Sequence, residues 1–338
     1  MARFIARRLL WMLLVLFVVS VITFLLMHSV PGGPFTQEKR LPEATLRQLN
    51  EKYNLDAPLY AQYVSYIGDI LIPVVTTGEQ QSTRLDHEYL INVPISLGDH
   101  AVIRWMNFGP SYRNVNRTVS DIFRDNLPIS MRLGAAAILV TIVIGVPLGI
   151  ISALKRNTLI DYSAMAAAVF GISVPVIILA PLLQYLLGVR LKVLPVSGWG
   201  TFRQLILPAF ALGIADSALI ARLTRASLLQ VLNQDFIRTA RAKGVSEQRV
   251  IFLHALKNGI IPIITVFGPM IAYILTGTFV VETIFCIPGM GKFFVTSISG
   301  RDYPVIMGTV LLFAMFLVVA NTLVDIFYLW LDPRIRYD

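Results

Sequence analysis

The feature that most constrains this chain is a series of apolar segments of about 20 residues, each long enough to cross about 30 Å of hydrocarbon. The chain as a whole is 56% hydrophobic and only 14% charged, with a mean hydropathy of +0.69, which excludes an ordinary soluble domain. The segments lie at about 9–30, 129–154, 162–187, 205–221, 259–281 and 305–331. Because backbone polar groups in lipid must be satisfied within the segment, the sequence predicts an all-α polytopic membrane protein with six transmembrane helices.

Basic residues flank the segments on one predicted side of the membrane. They stand before the first segment, between the second and third, after the fourth and at the end of the chain: Arg3, Arg7, Arg8, Lys155, Arg156, Arg222, Arg225, Arg334 and Arg336. Cytoplasmic flanks of membrane proteins carry such an excess of Arg and Lys. We therefore expect both termini in the cytoplasm of a cell (inner) membrane protein. The first segment has no small-residue cleavage site after it, so it is expected to be a retained helix.

Glycine and proline inside the apolar segments predict close helix contacts and bends. Gly145 and Gly149 form a small-xxx-small pair around Pro147, which favours a packing role. Gly171 and Pro175 interrupt the third segment, so that helix is predicted to be bent.

Residues 31–128 are polar and cannot span a membrane, so they predict a small extracytoplasmic domain between the first two helices. Residues 43–53 and 58–70 have helical spacing of apolar side chains, whereas 89–97 is β-branched and broken by Pro94. The domain is therefore expected to be mixed α/β. The predicted organisation is residues 1–30 for the cytoplasmic N-terminus and first helix, 31–128 for this domain, and 129–338 for a five-helix core.

Several functional classes are disfavoured by the residues present. The formal charge of +9 is dispersed in short patches beside apolar segments, which is not the pattern of a nucleic-acid-binding protein. Cys286 is the sole cysteine, and His28, His87, His100 and His254 fall on different predicted sides of the membrane, so no metal site is expected. No nucleophile–base motif or phosphate loop is recognisable, so we expect no catalytic residues and no enzyme activity in this chain.

Two carboxylates inside apolar segments are candidate functional sites, because ionisable groups are costly at that depth. Asp216 lies near the predicted cytoplasmic end of the fourth segment, and pairing with Arg222 is favoured over a place on a water-filled path. Asp325 follows Asn321 by one helical turn on the same predicted face, which favours a polar contact between helices. The alternative that these residues leave open is a self-sufficient secondary transporter or channel that uses Asp216 and Asp325 as ion or proton sites.

A basic segment at about 222–258 separates the fourth and fifth apolar segments. It reads Phe236-Ile237-Arg238-Thr239-Ala240-Arg241-Ala242-Lys243-Gly244-Val245, with a second helical run from 246 to 256. Ala, Arg and Lys are good helix formers, and a glycine allows the chain to turn between two helices. The sequence predicts a helix, a turn at Gly244 and a second helix on the cytoplasmic side.

This basic segment resembles the coupling loop of ABC-importer permeases of the dipeptide/oligopeptide group, and nearly the whole chain resembles the B-type membrane subunit of that family. The matching stretches lie throughout the sequence: Ala6-Arg7-Arg8-Leu9, Pro31-Gly32-Gly33-Pro34-Phe35, Phe108-Gly109-Pro110-Ser111-Tyr112, Lys155-Arg156-Asn157-Thr158, Asp161-Tyr162, Ala221-Arg222-Leu223-Thr224-Arg225, Val281-Glu282-Thr283-Ile284-Phe285, Arg301-Asp302-Tyr303 and Asp332-Pro333-Arg334-Ile335-Arg336. The general importer loop has Glu-Ala-Ala where this chain has Arg238-Thr239-Ala240, and residues 72–104 look like an insertion.

The resemblance implies the type I ABC importer permease fold and a role as half of a pathway for oligopeptides. It implies three kinds of protein partner besides membrane lipid: a homologous second permease, two ABC ATPase subunits, and an extracytoplasmic peptide-binding protein. ATP and magnesium would bind to the ATPase subunits and not to this chain. Residues Arg238, Thr239, Ala240, Arg241, Ala242, Lys243 and Gly244 would form the part that docks onto an ATPase.

Overall fold

A computed structural model describes residues 2–35, 42–76, 85–95, 101–114 and 116–331. His100 and the C-terminal motif at 332–336, including Arg334 and Arg336, lie outside these ranges, as do parts of the predicted insertion at 72–104. The helices are α1 Ala2–Ser29, α2 Glu43–Lys52, α3 Leu59–Leu71, α4 Val119–Leu154, α5 Leu159–Ser173, α6 Val176–Leu183, α7 Phe202–Leu232, α8 Asp235–Ala242, α9 Glu247–Arg249, α10 Leu256–Gly259, α11 Ile261–Leu275, α12 Phe279–Ile284, α13 Gly291–Gly300 and α14 Tyr303–Leu331. Two short π-helices, Gln184–Arg190 and Val250–Ala255, continue α6 and link α9 to α10.

The apolar helices agree with the predicted count of membrane spans. Among the described residues, five helices are long and apolar enough to cross a membrane: Arg7–Ser29, Val119–Leu154, Phe202–Leu232, Ile261–Ile284 and Tyr303–Phe327. The third predicted segment, at about 162–187, corresponds to the pair Leu159–Ser173 and Val176–Arg190, which is bent by 104° and brings the count to six if the pair is one span. The bend lies at Pro175, whose missing N–H and ring prevent a continuous helix, so the predicted bend is confirmed.

The fourth span is longer than the sequence suggested. We expected it to end near residue 221 because Arg222 and Arg225 follow, but α7 continues to Leu232. Leu228 and Val231 in the extra turns are buried, and Arg225 has a buried ionic partner. Burial of these side chains therefore extends the helix beyond Arg222 and Arg225. The two arginines mark a polar boundary and not the end of the helix. At its start, Thr201 caps α7 in a reciprocal pair with Gln204.

Helices α4 and α7 approach closely along a row of small residues. A Cβ atom added to Gly149 would lie 2.5 Å from the Ala221 carbonyl oxygen and 2.5 Å from the Thr224 Cβ. Gly145 and Gly213 are similarly crowded by backbone of the opposite helix, at 2.7 and 2.6 Å. The small-xxx-small pair thus has the packing role that was predicted for it.

Residues after α3 form a three-stranded antiparallel sheet of order β1-β3-β2, with β1 Val74–Thr76, β2 Tyr89–Ile95 and β3 Ala101–Asn107. The expectation that Pro94 breaks the second strand is wrong, since Pro94 pairs with Val102 inside the ladder. β2 is an edge strand, where a proline without an N–H is tolerated. With α2 and α3, the sheet gives this part of the chain the mixed α/β composition that was predicted.

The chain forms two compact units, which are described separately. The first takes its described residues from Met1–Arg8, Ser130–Pro288 and Phe316–Asp338. The second takes them from Leu9–Ile129 and Gly289–Met315, so it combines α2, α3 and the sheet with α13. The domain boundaries drawn from the sequence at 30/31 and 128/129 stay a prediction.

Candidate coupling site

The predicted coupling segment contains helix α8, which has one buried face. Ile237 and Ala240 are three residues apart, so they project from the same side of the helix, and both are buried. They pack in one cluster with residues of α4, α7 and the segment after α8: Ala153, Leu228, Val231, Val250 and Ala255. Burial of a side chain such as Ile237 stabilises by about 1.5–3 kcal/mol. Helix α8 is therefore packed firmly against the ends of α4 and α7.

The opposite face of α8 is basic and exposed. The residues predicted for docking that lie on the exposed side are Arg238, Thr239, Arg241, Ala242, Lys243 and Gly244. Ala240, predicted with them, is instead part of the buried face. The Arg238 side chain is 74% exposed, and its nearest acidic partner, Asp235, is 3.6 Å away and almost fully exposed. The charge of Arg238 is thus available to a partner surface.

Gly244 ends α8 in a left-handed conformation, with φ at +75°. The Val245 N–H donates to the Ala240 carbonyl at 3.2 Å and the Gly244 N–H donates to the Arg241 carbonyl at 3.0 Å. An added Cβ would meet nothing within 4 Å. The glycine is therefore required by backbone conformation and not by lack of space.

Arg241 and Glu247 form an ion pair across this turn. Arg241 Nη2 donates to Glu247 Oε1 at 2.6 Å, and Nε donates to Oε2 at 3.1 Å. The hydrogen-bonded guanidinium lowers the pKa of Glu247, and the carboxylate raises the pKa of Arg241. The pair holds the start of α9 against the end of α8, so one of the predicted docking residues also closes the turn.

A buried carboxylate joins α4, α5 and α7 just before the coupling segment. Asp161 is 1% exposed and accepts hydrogen bonds from Arg225 Nε and Nη2, both at 2.7 Å. It also accepts from the Ser152 hydroxyl and from the Asn157 N–H at 2.9 Å. In the sequence, Asp161 and Arg225 belong to separate motifs, so the pair was not predicted. The signal that could have found the pair is an aspartate at the first turn of an apolar segment, which needs a cationic partner once buried.

Comparison with known protein families shows which family this chain belongs to. Residues 145–337 match the family described as "Binding-protein-dependent transport system inner membrane component", and residues 1–134 match the corresponding N-terminal family. The chain belongs to this family of membrane transport components. The predicted family resemblance is thereby confirmed, and the protein is a multi-pass permease component.

Relatives of this permease match it over almost its full length. The dipeptide transport system permease protein DppB of Bacillus subtilis is 42% identical over 99% of this chain and 98% of that protein. The oligopeptide transport system permease protein OppB of Salmonella typhimurium is 39% identical over the whole of both chains.

A solved structure supports the fold of this permease. A chain from the MetNI methionine ABC transporter in inward-facing conformations aligns with a TM-score of 0.52, covering 62% of this chain and 96% of that chain at 14% identity. At this identity the likeness concerns the fold, which is that of a type I ABC importer permease.

The intramembrane polar residues of the permease do not converge on one site. Asp216 is half-buried, and among the described residues it has no ion pair, so the predicted pairing with Arg222 is wrong. Arg222 is exposed on the opposite side of α7 from the buried residues Ala221 and Thr224, because successive helical residues point about 100° apart.

Asn321 and Asp325 make two different contacts between helices. Asp325 forms an ion pair with Arg8 of α1, which is the interhelical polar contact expected from the sequence. A Cβ added to Gly268 would lie 2.6 Å from the side-chain oxygen Oδ1 of Asn321, so Asn321 packs on the backbone of α11. An ion site shared by Asp216 and Asp325 has no support in this geometry.

Two further motifs of the permease family are held by buried carboxylates. Asp302 accepts hydrogen bonds from the Ser111 hydroxyl at 2.5 Å and from the Tyr112 N–H at 3.0 Å, which joins motifs about 190 residues apart in sequence. Glu282 is 2% exposed and accepts from the Ser130 hydroxyl at 2.6 Å. These acids act structurally at long range, which a linear motif does not reveal.

Proposed function

We propose that this chain forms half of the translocation pathway of an ATP-driven peptide importer and is coupled to a separate ATPase subunit through α8. The observation that carries the proposal is the two-sided character of α8. Its apolar face is packed on α4 and α7, while its basic face, including Arg238, is exposed. A short helix with this arrangement transmits a push on its exposed face directly to the helices that cross the membrane.

The proposed partners are a homologous second permease, two ABC ATPase subunits and an extracytoplasmic peptide-binding protein. ATP and magnesium act on the ATPase subunits, and closure of those subunits displaces α8. Because α7 ends at Leu232, with two residues between it and the start of α8, and Arg225 ties α7 to Asp161, this displacement shifts the balance between inward-facing and outward-facing arrangements. Both chain termini lie in the cytoplasm in this arrangement.

Peptides are the proposed cargo. Relatives at 42% and 39% identity over nearly their whole lengths bear the names of dipeptide and oligopeptide permeases. Cargo preference within that class is assigned to the peptide-binding protein, which selects the peptide before it reaches the permease.

The test is charge reversal on the exposed face of α8 in a complex reconstituted with its ATPase subunits, second permease and binding protein. Arg238→Glu should reduce peptide-stimulated ATP hydrolysis and uptake by about tenfold or more, the effect of losing about 1.4 kcal/mol at an interface. Arg47→Glu, an exposed charge on α2, is the matched control and should change both rates less than twofold. Uptake that is unaffected by Arg238→Glu would contradict docking through α8.

Arg241 requires a different design because it also closes the turn with Glu247. Arg241→Glu should uncouple ATP hydrolysis from uptake, either by loss of docking or by loss of the turn. The double variant Arg241→Glu with Glu247→Arg restores the ion pair with the charges exchanged. Recovery in the double variant assigns Arg241 to the turn, whereas continued uncoupling assigns it to docking.

Gly244 tests whether the turn itself matters for coupling. An alanine at φ +75° costs about 1–2 kcal/mol, whereas asparagine tolerates this region better. Gly244→Ala should therefore weaken coupling more than Gly244→Asn, with membrane insertion unchanged in both. Equal activity of the alanine and wild-type complexes would show that the left-handed turn is dispensable.

A further inference from the structure

The second unit contains a cavity of about 220 Å³ that the proposed coupling function does not use. It lies between the end of α1, helix α3, the segment at 108–112 and the start of α14. We call it the aromatic cavity and define it by six of its lining residues: His28, Tyr53, Tyr66, Asp69, Tyr112 and Tyr303. At about 30 Å³ for each water molecule, it has room for about seven, which is enough for an organic group.

Two buried polar atoms in the wall of the aromatic cavity have no hydrogen-bond partner among the described residues. They are His28 Nε2 and the Tyr66 hydroxyl, each with almost no accessible surface. Buried polar groups in folded proteins are nearly always satisfied, so such atoms call for a ligand or ordered water. Both belong to side chains that line the same cavity.

The hydrogen-bonding state of His28 is fixed by its other ring nitrogen. His28 Nδ1 lies 2.8 Å from the Phe24 carbonyl oxygen, which can only accept, so Nδ1 carries the proton. In the neutral ring Nε2 is then an acceptor. Burial, together with the nearby Tyr112 and Asp69, raises the pKa of Tyr66, so its hydroxyl keeps its proton and is free to accept through a lone pair.

The rest of the wall has side chains of both charges, Asp69 and Lys52, and several aromatic rings. The Asp69 carboxylate lines the cavity with these two acceptors. The rings of Tyr53 and Tyr112 lie 4.6 Å apart, and those of His28 and Tyr303 lie 4.9 Å apart. The Lys52 ammonium already lies 5.3 Å from the Tyr53 ring, which shows that this surface accommodates a cation. Acceptors, a carboxylate and π-faces together suit a group that has several N–H donors and a positive charge.

We propose that the aromatic cavity binds a primary ammonium group, and that its ligand is the amino-terminal residue of a peptide. The ammonium would donate to His28 Nε2, the Tyr66 hydroxyl and Asp69, while the terminal side chain packs among the tyrosine rings. A second cavity of about 420 Å³ shares His28 and Tyr303 with the first and continues along the Pro31–Pro34 segment, which provides space for the following residues. The choice of a peptide over another amine rests on the proposed function, whereas the ammonium chemistry does not.

The test measures binding to the purified full chain in detergent by calorimetry, with trialanine, N-acetyl-trialanine and phenylethylamine as probes. Trialanine should bind saturably, and N-acetylation, which removes the charge and N–H donors, should weaken binding at least tenfold. Tyr66→Phe removes only the unpartnered hydroxyl, so it should weaken trialanine binding about tenfold and raise the melting temperature of the ligand-free protein. Asp69→Asn should weaken binding similarly, and Tyr60→Phe, an exposed position on the same helix, is the control that should change nothing.

The outcomes separate this site from the proposed function. Equal binding of trialanine and its acetylated form, or trialanine binding that is unchanged by Tyr66→Phe, overturns the ammonium site. Binding of phenylethylamine but not of trialanine overturns the peptide as its occupant. If those results overturn the ammonium site while the reconstituted complex still imports peptide, the proposed function is kept and the ammonium site is rejected. If amines bind but the complex imports no peptide, the proposed function fails and the ammonium site stands.

Discussion

The ion pair between Asp161 and Arg225 predicts how much stability is lost when either side chain is removed. The loss depends on the exposed fraction of the side chain that remains. Asp161 is 1% exposed and Arg225 is 27% exposed. Removing one partner of a buried ion pair typically costs about 3–5 kcal/mol, because the other charge is left uncompensated. Arg225→Ala leaves a fully buried carboxylate, so its cost should lie near 5 kcal/mol. Asp161→Ala leaves a partly hydrated guanidinium, so its cost should lie near 3 kcal/mol.

The double variant completes the cycle. With both side chains removed, no uncompensated charge remains, so the loss should be smaller than the sum of the two single losses by about 2–3 kcal/mol. The measurement is denaturant or thermal unfolding of the purified chain in detergent, followed by helical circular dichroism. Ser163→Ala, an exposed change on the same helix, is the control and should cost less than about 0.5 kcal/mol. Additive single losses, or a larger loss for Asp161→Ala than for Arg225→Ala, would refute this account of the pair.

Three other results are expected. Gly149→Ala should destabilise the chain by about 1–3 kcal/mol because its Cβ would lie 2.5 Å from the facing helix, whereas Gly171→Ala, whose nearest neighbour is 3.5 Å away, should be nearly neutral in the same unfolding assay. The lowered pKa of Glu247 means that its pair with Arg241 contributes stability above the unfolded carboxyl pKa of about 4.3 and loses it as pH falls through the folded value. Since both side chains are about half exposed, wild type should exceed Glu247→Gln by less than about 1 kcal/mol at pH 7, and the difference should disappear once the pH is below the lowered folded pKa, in a pH series of melting temperatures. Asp302→Ala should increase proteolysis of the segment at 108–114, which loses its acceptor for two N–H groups and a hydroxyl; an unchanged digestion pattern would contradict that role.

The elements that sequence reasoning found correctly are those with strong local signals. The bend at Pro175 follows from a missing N–H, and the turn at Gly244 from the ease with which glycine adopts positive φ. The helices at 43–52 and 59–71 show helical spacing of apolar residues. Each of these features depends on a few neighbouring residues, so no knowledge of the rest of the chain is needed to predict it.

The features that sequence reasoning missed depend on partners that are distant in the chain. Asp216 was paired with Arg222 because the two are close in sequence, but the helix turns them in different directions. The end of α7 was placed too early, because the burial of Arg225 depends on Asp161, 64 residues away. The second strand was thought to be broken at Pro94, because a strand's place at the edge of a sheet is set by the whole sheet.

The sequence by itself determined that this is a multi-pass helical membrane protein of the binding-protein-dependent permease family, with a basic helix–turn–helix segment between two spans. Hydropathy and charge decide the helical membrane architecture because the bilayer imposes the same requirement on every segment, independent of the others, whereas the family follows from the resemblance of the sequence motifs. Only the tertiary structure decided which face of α8 is exposed, which acid pairs with Arg225, and that His28 and Tyr66 line the same cavity. These arrangements depend on helix rotation and on contacts between residues far apart in the chain, and linear patterns of hydrophobicity contain neither.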